Sequence, residues 1–247
     1  MHTDVGSLLI LAADEVMRPL IARTSDWEAD EAALFRAQIK PAATVIDVGA
    51  HVGYYTLLAA RAVGRRGHVV AVEPDPTNAA LLRENIRRNR LRNVTVIEAA
   101  AWQETTQLAL RRDPVNTGDH RVTAAASENA VALTIEGVAL DELLGTHSVA
   151  LIKVDAQGAD HIALAGMHQT LARCRPVVFA EFWPHGIREV GDDPAGVIDS
   201  YRALGFRLTM PGLQVDFEHW SADDFVRAAE ALPGGFGTLV LRPCTTD

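Results

Sequence analysis

Asp47, Gly49 and Gly53 stand in the stretch Val45-Ile46-Asp47-Val48-Gly49-Ala50-His51-Val52-Gly53, a D-x-G-x-x-x-G pattern closing an apolar run. Glycines at such a turn let the backbone approach a ligand closely before a helix begins. The spacing differs from the dinucleotide fingerprint G-x-G-x-x-G. Twenty residues beyond Gly53, Ala71-Val72-Glu73-Pro74 ends a second apolar run on a carboxylate. An acid there is placed to accept from both hydroxyls of a ribose. In this order and spacing the two features point to an adenosine-containing cofactor. Asp155 and Glu181 each end a later apolar run. Two carboxylates there can orient a hydroxyl or amine, take its proton, or hold a divalent cation. A metal site needs further oxygen ligands, and the sequence offers only unplaced ones such as Asp119. A divalent metal is therefore not favoured, and no metal ligands are assigned. His120 and His185 are alternative bases with a suitable ordinary pKa. His51 lies inside the glycine loop, where it can serve packing or chemistry.

The elements that must position these groups follow from periodicity. Short apolar runs at Thr44–Val48, His68–Val72, Val94–Ile97, Ala150–Val154 and Val177–Glu181 read as strands covered on both faces. Helical stretches fall between them at Tyr54–Val63, Pro76–Asn89 and Ala159–Ala172, with Asp75-Pro76 a strong helix start. This alternation predicts an α/β fold, with a mostly parallel, doubly wound sheet of about seven strands and helices on both faces. Residues 1–40 read as an N-terminal helical cap of two helices, parted at Thr24-Ser25-Asp26, where Ser25 or Asp26 can cap the second. Residues 41–247 form the cofactor-binding part, the whole being one structural domain. Between about 103 and 145 the rhythm breaks. Leu108–Leu110 and Val131–Ile135 read as short strands around a polar loop, Arg111–Glu128, expected to border the acceptor pocket as a lid. Pro194–Leu204 and Ser221–Leu232 read as helices, Phe206–Met210 and Gly237–Arg242 as late strands.

Composition narrows the class. The 247 residues are 48% hydrophobic and 22% charged, with a net charge of −9. An acidic balance argues against a broad nucleic-acid footprint. Cys174 and Cys244 lack metal or redox spacing and read as free thiols. The apolar start Leu8–Ala13 is cut short by Asp14 and Glu15, too early for a secretory signal or a membrane span. A cytoplasmic protein with no membrane partner is expected, and its oligomeric state stays open.

Three stretches together resemble class I S-adenosylmethionine-dependent methyltransferases, specifically the FkbM family. They are Val45–Thr56, Ala71–Pro74, and Leu151-Ile152-Lys153-Val154-Asp155-Ala156-Gln157-Gly158-Ala159-Asp160, similar to the family's I-K-x-D-x-E-G-A-E. The resemblance covers about residues 40–185. It implies a Rossmann-like fold and S-adenosylmethionine as cofactor, released as S-adenosylhomocysteine. The glycine loop, with Asp47, Gly49, Ala50, Gly53 and Tyr54, would hold the methionine part. Glu73 and Pro74 would hold the ribose, and Glu98, Ala99 and Ala100 would flank the adenine. Gln157 and Asp160 stand where the family usually has Glu. Glu181-Phe182-Trp183 stands where E-x-H is common, so a family histidine role does not carry over. The implied reaction is methylation of a hydroxyl on a small molecule, a sugar, polyketide or other natural product. Asp155 is the leading base, with Glu181 orienting the acceptor. N-methylation of an aminosugar or other amine is the alternative, and a non-catalytic accessory protein that keeps the fold is a further one. A nicotinamide oxidoreductase is disfavoured by the missing third fingerprint glycine.

Overall fold

The computed structural model describes residues 1–124 and 132–244. Seven strands make the main sheet: β1 Thr44–Val48, β2 His68–Val72, β3 Val94–Ile97, β4 Leu151–Val154, β5 Val177–Phe182, β6 Phe206–Thr209 and β7 Gly237–Pro243. Their order across the sheet is β6-β7-β5-β4-β1-β2-β3. The β5-β4-β1-β2-β3 pairings are parallel, and β7 runs antiparallel to both its neighbours. Strands β2 and β4 flank β1, so the crossovers leave β1 in opposite directions. In open α/β sheets the crevice at that reversal, beyond the carboxyl ends, is where ligands bind. It lies between Gly49, after β1, and Asp155, after β4.

Local chemistry explains the helices around it. The helix Tyr54–Val63 is buried along nearly its whole length, starts at Gly53, and anchors through Thr56 Oγ1, which donates to Asp47 at 2.5 Å. Asp75 accepts from Thr77 and Asn78 amides ahead of Pro76, so Pro76–Arg88 begins on a true side-chain cap. One core cluster fills the face carrying Ile46, Ile152, Val178 and Phe225. The other packs Phe35, Leu57, Val69 and Phe179 on the opposite face.

Several expectations change. The N-terminal segment opens with a two-stranded hairpin, His2–Thr3 with Gly6–Ser7, before helices at Met17–Thr24 and Ala29–Gln38. Ser25 ends the first of these in a left-handed conformation, φ 63°, and Glu28 precedes the second without a side-chain cap, so neither Ser25 nor Asp26 caps it. The stretch Ala159–Ala172 is two helices, Asp160–Ala165 and His168–Cys174. The break falls beside Gly166, where a Cβ would lie 1.9 Å from the Trp102 carbonyl oxygen, a close approach that only glycine permits. The region after β3 is a small sheet: Ala100–Ala101, Leu133–Val138, Thr106–Arg111 and Arg121–Thr123, in that spatial order. Arg121–Thr123 thus turns part of the expected loop into a strand paired with Ala109–Arg111. Residues 125–131, including the end of the expected lid and Val131, lie outside the described residues. Among the described residues no helix is long and apolar enough to cross a membrane. Both cysteines are unbridged.

Candidate functional site

Two cavities meet at the crevice. The first, a narrow cleft, is lined by Glu73, Pro74, Asn78, Ala100, Trp102 and His120 among others. The second has a volume of about 360 Å³ and is walled by Trp27, Glu28, Tyr55, Lys153, Glu181 and Trp183 among others. Gly49, His51, Gly118, Asp155 and Gln157 belong to both walls, so the two spaces adjoin there.

Gly49 sets the floor. Its φ of +74° is left-handed, and a Cβ on it would meet the Asp155 carbonyl oxygen at 1.9 Å. Its amide and that of Ala50 both donate to Val72 O at 3.0 Å, tying the loop to β2. Gly49→Ala must therefore push β1 and β4 apart at their ends. The expected loss of stability is about 4 kcal/mol or more, read as a lower denaturant midpoint. An unchanged midpoint would contradict the close approach.

Glu73, at the end of β2, is buried. One carboxylate oxygen accepts from the His51 amide at 2.8 Å and the other from the Asp75 amide at 2.9 Å. Burial pushes its carboxyl up to about 7, against the lowering effect of those amide bonds. A carboxylate offers about four acceptor positions, so two remain for a ligand. Asn78 Nδ2 donates to Thr117 O at 2.9 Å, while its Oδ1 is buried without a partner. An orphaned acceptor beside Glu73, a glycine floor and apolar walls at Pro74, Ala101, Trp102 and Val122 fit a nucleoside. The S-adenosylmethionine implied by the sequence fits this donor and acceptor set.

The acceptor side is built around a buried ammonium. Lys153 Nζ lies 3.0 Å from Asp155 Oδ2, 4.0 Å from Glu31 Oε1 and 4.4 Å from the Tyr55 ring centre. Burial opposes its charge, but Asp155, Glu31, Glu28 and Asp47 outweigh that and hold it protonated well above the ordinary lysine range. The other Asp155 oxygen accepts from Gln157 Nε2 at 2.8 Å. Glu181 lines the same cavity with Oε2 buried and unpartnered, and burial, then Asp155 and Asp160, push its carboxyl well up. Glu181 thus carries a buried carboxyl oxygen free to bond a ligand, and its surroundings favour the protonated form. Burial likewise raises Asp160 to about 7, and it also raises Asp47. Tyr55 Oη lies 2.9 Å from Glu28 Oε2 and 3.2 Å from Glu31 Oε1, its one proton shared between them, so the N-terminal segment forms one wall.

The candidates named from sequence do not all converge. Asp47, Gly49, Ala50, Tyr54, Glu73, Pro74, Ala100, Asp155 and Glu181 line one or both cavities. Gly53 does not. Its φ is +99° and a Cβ would strike Leu82, so its part is packing of the turn. Glu98 faces away and pairs with Arg83 at 2.5 Å, and Ala99 sits in the core. His120 lines the cleft with its side chain only 8% exposed, and its Nδ1 accepts from the Asp113 amide at 3.1 Å. Burial lowers its pKa. His185 is 69% exposed, outside both cavities, and near Glu189 at 3.6 Å. His120 has its Nδ1 lone pair committed to an amide, and His185 does not line either cavity. Of the expected lid, Asn116, Gly118, Asp119 and Arg121 line the wider cavity. Thr117, Gly118, His120 and Val122 line the cleft.

Sequence reasoning passed over Lys153, although a lysine inside an apolar strand is itself a signal of buried partners. It also passed over Asp14, which is buried and tied to Thr117, 103 residues away.

Comparison with known proteins adds the following. A family model described as the methyltransferase FkbM domain matches residues 47–208. A candidate cobalt-precorrin-6B C(15)-methyltransferase (decarboxylating) of Sulfolobus acidocaldarius is 41% identical over 69 residues, 28% of this chain and 36% of that protein. An arsenite methyltransferase of Halobacterium salinarum is 40% identical over 58 residues, 24% of this chain and 15% of that one. The chain thus spans about a third or less of the curated relatives it matches. Among solved structures, methyltransferase FkbM from Methylobacillus flagellatus KT aligns with a TM-score of 0.50 at 13% identity, covering 86% of this chain and 50% of that one. A Streptococcus mutans methyltransferase candidate in complex with S-adenosylhomocysteine aligns with a TM-score of 0.50 at 10% identity, covering 87% and 97%. At such identities the likeness is one of fold.

Proposed function

The chain belongs to the FkbM methyltransferase family, and from that premise we propose that it transfers a methyl group from S-adenosylmethionine to a hydroxyl of a small molecule. When bound, the cofactor supplies an electrophilic methyl carbon on a sulfonium. The observation that carries the reading is the pair of adjoining cavities, one with nucleoside-binding groups and one with acceptor-sized space, sharing the wall Gly49, His51 and Asp155.

Glu73 and Asn78 would hold the ribose, and the glycine loop with Asp47 the methionine part. Alignment of acceptor and methyl carbon, at about 3–3.5 Å, is the main service the protein renders to such a displacement. Trp27, Tyr55, Trp183 and Phe236 supply apolar walls to the acceptor cavity. Asp155 already holds Lys153 and Gln157, which suits it to anchoring an acceptor hydroxyl. Glu181, with its free buried oxygen on the same wall, orients the acceptor by a hydrogen bond. Acid residues Glu28, Asp119, Asp155 and Glu181 on the same wall support a second reading, an aminated acceptor. The same wall holds few cationic groups, Lys153 and Arg121, and both are already paired with acids.

The test is mass spectrometry of products after incubation with S-adenosylmethionine and a panel of hydroxylated and aminated sugars and polyketides. Gain of one methylene on a hydroxylated member supports the first reading, and gain only on amines the second. A panel that yields neither methylated product nor S-adenosylhomocysteine overturns both.

A further inference from the structure

Taking the methyl-transfer reading as its basis, we propose that His51 is the general base that removes the acceptor's proton, held in its working tautomer by Thr117 and Asp14. Thr117 Oγ1 donates to the buried Asp14 Oδ2 in a short hydrogen bond, and the Thr117 amide donates to the same oxygen at 3.2 Å. A hydroxyl has one proton, and that bond takes it. Toward His51 Nε2, 2.8 Å away, Thr117 Oγ1 can then only accept. Nε2 must carry the hydrogen, which leaves Nδ1 of a neutral ring with an open lone pair. Among the described residues none hydrogen-bonds Nδ1, and the residue lines both cavities. The ring forms part of the wall shared by both cavities, beside Asp155 and Gly118.

The charges around the ring set its protonation state. Burial opposes the imidazolium, as does His120, while Asp14, Asp155 and Asp75 favour it. The balance pushes His51 down to about 4, which keeps the ring neutral near pH 7 and makes it a weaker base than a free imidazole, so its service rests on its position and on the stabilisation of the imidazolium by Asp14. Asp119, Arg121 and Lys153 face it from the acceptor cavity. Burial would raise Asp14, but its bonds from Thr117 and Arg18 outweigh that and keep it ionised. In the step, the acceptor O–H proton passes to His51 Nδ1 as the oxygen bonds to the methyl carbon. The carbon–sulfur electron pair stays on sulfur, leaving a neutral thioether. The imidazolium so formed is stabilised through Thr117 by Asp14, and later returns its proton to water. Asp14 and Thr117 act through the ring and are positioning residues.

Two measurements decide it. Nitrogen-15 NMR of the wild-type histidines at neutral pH should show His51 as the neutral Nε2–H tautomer, with that preference lost in Thr117→Val. A protonated Nδ1 overturns the proposal whatever the acceptor is. The second uses His51→Asn, since asparagine tolerates the left-handed φ of 51° that this position adopts. On the panel member turned over fastest by wild type, kcat should fall about 10²-fold or more. S-adenosylhomocysteine affinity should stay within a few-fold, and the residual rate should climb with pH while wild type is flat near neutrality. A wild-type kcat, or a mutant with the wild-type pH profile, overturns the base assignment. A wild type that turns over no panel member overturns the methyl-transfer reading instead, and the NMR result still decides the tautomer.

Discussion

Lys153→Met lowers the stability of the folded chain by about 3 kcal/mol or more at neutral pH, as removal of one partner from a buried ion pair does. Methionine is unbranched and fills most of the same space but lacks the ammonium that sits over the Tyr55 ring, so the loss reports the charge, its contact with that ring included. Without the ammonium, the charges of Asp155, Glu31, Glu28 and Asp47 lose the cation they share. Lys153 lowers the carboxyl pKa values of Glu28, Asp47, Asp160 and Glu181, so all four rise further when it is gone. Their protonation then relieves the repulsion. The deficit should therefore be largest above pH 7 and shrink as the pH falls toward about 5. The sign for wild type is the reverse. A lysine whose folded pKa lies above its ordinary value stabilises fully below that value, and the contribution fades only as the pH rises through the folded pKa. Urea titration of both proteins at several pH values measures this. A pH-independent difference would mean that Lys153 acts by packing and not by charge.

The sheet was legible because its information is local. Thr44–Val48, His68–Val72 and Val94–Ile97 are continuous apolar runs bounded by helix signals, and they are strands over those same residues. The turn Gly49–Gly53 and the acid Glu73 were legible for the same reason, since type and spacing alone define them. What escaped depends on contacts between distant segments. Gly166 breaks a helix because Trp102 approaches it, and nothing in the neighbouring residues announces that. Arg121–Thr123 is a strand of three residues, too short for a period, and exists through its register with Ala109–Arg111. The His2–Ser7 hairpin is shorter still in each arm, so Leu8 and Leu11 read as helix when only the later part is. Asp14 carries no motif, and its use becomes visible only when Thr117 is folded onto it. Glu98 does not line the cleft. The family resemblance put it beside the adenine, but its side chain pairs with Arg83.

Glu73→Ala should weaken S-adenosylhomocysteine binding by about 10²-fold or more. Two charge-assisted bonds to ribose hydroxyls contribute roughly 1.5–3 kcal/mol each, and about 1.4 kcal/mol is a factor of ten. The His51 and Asp75 amides also lose their acceptor, so the glycine loop loosens and the folded state needs a circular dichroism control. Glu73→Gln separates the effects, because its amide oxygen still accepts from one amide while the charge is gone. The pH dependence gives an independent signature. Burial lifts the folded carboxyl to about 7 from an ordinary value of 4.5, so between these values the folded chain holds a proton that the unfolded chain has released. Through that window the group therefore favours folding less as the pH rises. Ribose hydroxyls donate to the ionised form, so binding must expel this proton below pH 7. Affinity for S-adenosylhomocysteine should fall by up to about tenfold per pH unit below about 7 and level off above it. Calorimetry in two buffers of different ionisation enthalpy should show proton release on binding near pH 6. Glu73→Gln should abolish both the release and the slope. Wild-type affinity in Glu73→Ala, or a pH slope that survives in Glu73→Gln, would place the ribose elsewhere.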